Sequence, residues 1–161
     1  MPWDTGAWDY TLWDEGATPK MTVEKAIDEL IAMMKRDTEL LGHFQPGAYG
    51  KDIDLAQAQF PNVVVTPAEA RIFGRGPGWE KELVTVHVLF RFRSPRRTDT
   101  TRLAVLANRL RALLAERPRL DGTAEVERAK VLSWKPLYGT GDNFVEDVAD
   151  VTVEMQLFRK V

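Results

Sequence analysis

The chain has 161 residues, of which 44% are apolar and 29% charged, and it contains no cysteine. That length fits one folded domain with a continuous core, and the missing thiols exclude disulfides, thiolate metal sites, iron–sulfur clusters and a cysteine nucleophile. The net charge of −2 hides a split, because residues 1–60 balance at −6 and residues 91–119 at +7, with 61–90 neutral and 120–161 at −3. A basic band in an acidic chain can meet nucleic acid or an acidic surface of another copy.

No segment approaches the ~18 apolar residues of a membrane span. The acidic, aromatic N-terminus is unlike a signal peptide, so neither membrane insertion nor export is expected. Residues 1–20 differ from the rest: Trp3, Trp8 and Trp13 are each followed by aspartate, at a step of five. That step gathers the rings neither on one helical face nor on one strand face. The segment reads as an extended arm whose tryptophans dock into separate pockets, on its own body or on a neighbour.

Residues 21–161 read as a single α/β domain. A first helix starts near Thr22, with Glu24 in its first turn, and Gly42 stops it. Its apolar stripe is Val23, Ile27, Leu30, Ile31, Met34 and Leu41, with Met33 and Met34 as core or lid residues. Residues 43–59, punctuated by Pro46, Gly47 and Gly50, read as a loop. A short buried strand at 62–66 continues after Pro67 through 68–73 to the glycine-rich tip 74–78.

Residues 79–93 alternate clearly. Val84, Val86, Val88, Phe90 and Phe92 share one face; Thr85, His87, Leu89, Arg91 and Arg93 share the other. A second helix begins after N-caps at 98–100 and runs to about Arg117, with the stripe Leu103, Leu106, Ala107, Leu110, Leu113 and Leu114. Pro118 and the Asp121-Gly122 turn close it. Strands at about 124–134 and 148–159 follow, separated by a loop at 139–143. The fold class is therefore α+β, in the order α-β-β-β-α-β-β: a mostly antiparallel sheet with two packed helices and an N-terminal arm.

Catalytic and ligand-binding patterns are sparse. The tip reads G-x-G-x-G, and a strand follows it where a dinucleotide fingerprint needs a helix; Pro77 also removes a donor. His43 and His87 are the only histidines, without the spacing of a zinc site. Ser94 and Ser133 are the only serines, and neither sits in a nucleophile elbow. Asp52, Asp54, Asp142, Glu146, Asp147 and Asp150 could form a carboxylate pair or hold a hard cation, but their spacing is that of solvated loop charge. No cofactor or metal is expected, and the chain reads as a non-enzyme. Arg91, Arg93, Arg96, Arg97 and Arg102 run from the long strand into the second helix. The element order is shared with double-stranded-RNA-binding domains, but the lysine-rich helix start of those domains is absent. A band facing acidic surfaces of a neighbouring copy fits better.

The succession MTVEKAIDELIAMMKRDTELLG, FPNVVVTP, ELVTVHVLFRFR, TRLAVLANRLRALLAERPRLDG, a loop with GDN and VADVTVEMQLFRK resembles the tail terminator (tail completion, head–tail joining) proteins of tailed bacteriophages over about residues 20–160. The resemblance is one of pattern and element order, with no signature motif. It implies a structural virion protein of the tail or neck, assembled in the host cytoplasm as a homohexameric ring. Such a ring caps the tail tube protein and joins it to the head-side connector or stopper, with DNA only passing through the lumen. Arg75 and Trp79 beside the tip, and Asp142 and Asn143 in the later loop, become candidate tube or connector contacts. The family pattern begins near residue 20, so the arm departs from it and is not assigned by the resemblance. Trp3, Trp8 and Trp13 are read as reaching an adjacent subunit or a connector protein, and the charge split makes Arg91, Arg93, Arg96, Arg97 and Arg102 candidate inter-subunit contacts. The alternatives are a nucleic-acid-binding α/β domain, a small enzyme using a carboxylate pair, and another neck component such as a stopper or contractile-tail terminator.

Overall fold

The computed structural model describes residues 19–51, 59–95, 101–120 and 125–160. Helix α1 spans Pro19–Arg36, so it begins three residues before the N-cap expected at Thr22. Proline suits a first helical turn, where its missing N–H has no intrahelical acceptor to lose. The single helix expected to reach Gly42 is broken at Asp37, whose backbone is extended (φ −77°, ψ 125°). The Asp37 carboxylate accepts from the Leu40 amide at 3.1 Å and caps a second short helix, α2 (Thr38–Leu41). The break resets the helical phase. Leu40 takes the buried place and Leu41, expected in the stripe, is exposed.

The expected loop at 43–59 contains a 3₁₀ turn (Pro46–Ala48) and a short strand, β1 (Tyr49–Lys51); residues 52–58, with Asp52 and Asp54, lie outside the described part. Strand β2 (Asn62–Gly76) continues past Pro67, with register shifts against the next strand between Pro67 and Glu69 and between Ile72 and Gly74. Beyond Val65 no described strand lies on its outer side, so the donor that proline lacks is one the ladder does not need. Gly78, at φ 77°, turns the chain into β3 (Trp79–Ser94). Helix α3 (Thr101–Glu116) follows, then β4 (Val126–Thr140) and β5 (Val145–Lys160). The N-caps at 98–100 and the turn at 121–122 fall outside the described residues. The β4–β5 hairpin is longer than the sequence suggests, because residues 135–140 are exposed on both faces and carry no alternation to read.

The sheet order is β1-β2-β3-β5-β4, parallel between β1 and β2 and antiparallel elsewhere. The α+β class holds and the order α-β-β-β-α-β-β matches roughly: the first helix is split into α1 and α2, β1 lies in the stretch read as a loop, and the stretches either side of Pro67 form one strand. One sheet face carries the core. Val63 and Val65, the even-numbered valines of β3 with Phe90 and Phe92, and Ala149, Val151, Val153, Met155 and Leu157 meet the stripes of α1 and α3 there. Phe44, from the segment read as loop, stacks 5.6 Å from Phe90 and 5.3 Å from Phe92. Met33 and Met34 are core residues.

Candidate functional site

The alternation of β3 points Arg91 and Arg93 away from the core, where the sequence suggests contacts with another subunit. The structure employs both internally. Arg91 is only 4% exposed; its guanidinium lies 3.3 Å from Asn62 Oδ1 and 3.6 Å from Glu146 Oε2. Arg93 donates to Glu146 at 3.1 Å and is held between two rings, 4.1 Å from the centroid of Phe60 and 4.0 Å from that of Phe144. Arg102 stacks 3.7 Å over Phe92. Cation–π contact and ion pairing thus engage Arg91, Arg93 and Arg102 within their own chain. Arg96 and Arg97 lie outside the described residues, as do Trp3, Trp8 and Trp13. Asn62, Phe60 and Phe144 are not singled out by the sequence, and Glu146 appears there only among the loop carboxylates; the available signal is an aromatic at each strand margin, in Gln59-Phe60-Pro61 and Asn143-Phe144-Val145.

The two candidate hairpins lie at opposite ends of the sheet, since β3 pairs Trp79 with Lys160 at one end and Ser94 with Val145 at the other. Arg75 is exposed at its tip and paired with Glu80 at 3.2 Å. Trp79 is not a free contact: its ring stacks on Phe158, with centroids 6.2 Å apart, and lies against Gly76. Asp142 and Asn143 are exposed at the other tip.

The sheet face opposite the helices is polar, and the register aligns it in rows. Thr66, His87, Thr152 and Ser133 form one row across four strands. On this face four carboxylates each have a basic partner: Asp150 with His87 at 2.8 Å, Glu154 with Lys130 at 3.9 Å, Glu127 with Lys81 at 3.3 Å, and Glu146 with the two arginines. Toward the Trp79 end, on the core side, Arg159 hydrogen-bonds Glu80 and stands 3.6 Å from Glu82. Burial pushes the Glu82 carboxyl up, opposed by the charge of Arg159.

An open cavity of about 510 Å³ is lined by His43, Gln45, Gly47, Ala48, Gln59, Phe60, Pro61 and Asn62. Among the described residues no group of three histidines or carboxylates is placed to hold a metal ion. No described helix is long and apolar enough to cross a membrane. No protein-family model and no curated protein matches the chain.

Proposed function

We propose that the protein is a structural virion subunit that closes into a ring, in the manner of tail terminator proteins, capping the tail tube and joining it to the head-side connector. One observation carries this reading: a sheet of strands up to 16 residues long has helices on one face and a polar, charge-paired opposite face. At ~3.3 Å per residue such a strand spans ~50 Å. With the helices outward, the polar face lines the lumen. Its paired charges offer DNA neither a cationic track to bind nor a strong like-charge barrier. The two hairpin tips then lie on opposite rims, one toward the tube and the other toward the connector.

Light scattering followed by negative-stain averaging, with tail tube and connector proteins present and absent, tests the reading. A six-fold ring is expected. A monodisperse monomer in every mixture would overturn it. Binding to duplex DNA that weakens log-linearly with salt would favour the nucleic-acid alternative instead.

A further inference from the structure

Among the described residues, each margin of the sheet is half open. β1 covers only Val63–Val65 of β2, and 67–73 beyond it are exposed on both faces. At the other margin β4 has no described strand on its outer side. Its first half lies under α3, which with the following turn forms a cleft lined by Arg111, Leu114 and Pro118 against Arg128 and Val131. Its second half is exposed. Large apolar side chains stand out on both open stretches: Ile72 and Phe73 on β2, Leu132 and Leu137 on β4. An unpaired edge of this length templates another strand unless charge or proline blunts it. The open half of β4 has only Lys135 and Pro136 for that purpose.

The two edges suit each other. β2 and β4 run in opposite directions, so β4 of a second copy laid along β2 continues the antiparallel alternation with all helices on one side. The open halves lie at opposite ends of the sheet, 67–76 toward Trp79 and 132–140 toward Val145. The copies therefore meet with a stagger along the strands, which closing a sheet on itself requires. Pairing β4 with β4 about a two-fold axis would leave Ile72 and Phe73 uncovered on both copies. The β2–β4 pairing covers the open stretch at both margins of every copy once the ring closes.

We infer that residues 67–76 of one copy pair antiparallel with residues 132–140 of the next, joining their sheets edge to edge and burying Ile72 or Phe73 against Leu132 and Leu137. The inference rests on the ring reading for closure and on the edges alone for the pairing.

The cysteine-free chain allows a direct test. Phe73→Cys and Leu137→Cys chains, one carrying a mass tag, are mixed and treated with a short bismaleimide; Val105→Cys on the exposed face of α3 is the control. Paired edges hold the thiols at a high effective concentration, so the mixed product should exceed the control by about tenfold. A yield equal to the control overturns the pairing, and so does preferential self-linking of the Leu137→Cys chain. Leu132→Lys with Leu137→Lys should reduce the assembled fraction about tenfold by charging the edge, with an unchanged urea unfolding curve; full assembly would also overturn it. Cross-linking without closed rings removes the ring reading and keeps the pairing. Rings without cross-linking do the reverse, and monomers without cross-linking remove both.

Discussion

Arg109 on α3 reaches Asp37 in the break between α1 and α2, with Nε 3.0 Å from Oδ2 and Nη2 2.5 Å from Oδ1. The same carboxylate caps α2 through Leu40, so one residue sits at the bend between α1 and α2 and ties it to α3. Asp37→Ala should cost about 3 kcal/mol in urea unfolding, because it strands a partly buried guanidinium and removes a cap. The hydrogen bond from Arg109 holds the Asp37 carboxyl below its ordinary value despite burial. A carboxyl lowered in the folded state contributes stability above its unfolded value and loses it as pH falls through the folded one. The difference between wild type and Asp37→Asn should therefore shrink below pH ~4. A difference that persists at pH 2 would assign the effect to packing.

Glu82 has the opposite sign. Its carboxyl is raised by burial, so the folded state prefers the protonated form and that preference is lost as pH rises through the folded value. Glu82→Gln keeps the shape, and Glu80 remains as the partner of Arg159. The variant should be more stable than wild type at pH 7, with the gain vanishing below pH ~4. Denaturant midpoints at both pH values check this.

Gly141 is required by a close approach. A Cβ there would stand 2.1 Å from the Phe144 ring, which packs on Arg93. Gly141→Ala should push the ring off the guanidinium at a cost of about 1 kcal/mol. Phe144→Ala should cost a similar amount, and the double variant less than the two together, since both remove the same contact.

Among the described residues the buried core cluster runs from Ala26 to Leu157, and the Trp-Asp arm lies outside them. Deleting residues 2–17 should move Tm by less than about 2 °C and reduce assembly. An unfolded core after truncation would mean the arm belongs to the domain.

Arg96 and Arg97 sit in the basic band beside arginines already engaged within the chain. Reversing both to glutamate should weaken ring formation and leave the monomer folded, because opposite charge on the two sides of a ring contact sets order and on-rate. Unchanged assembly by light scattering would place the attraction elsewhere.

Local periodicity was enough for much of this fold. The stripe of α3 and the alternation along β3 and β5 can be read from neighbours two to four residues apart, because one buried face imposes its period on the chain. β1 is too short to show a period, and the carboxylate at the Asp37 bend is paired with Arg109, 72 residues away. The basic band shows the division most clearly. Its +7 balance is a property of composition, yet whether Arg91 and Arg93 face another molecule depends on Phe60, Phe144 and Glu146, brought beside them only when β2, β3 and β5 align. The sequence by itself determined the α+β class, the core faces and the poverty of catalytic groups. The tertiary structure decided which charges are used up inside the chain and which strand edges stay open, because both depend on long-range pairing that no local pattern encodes.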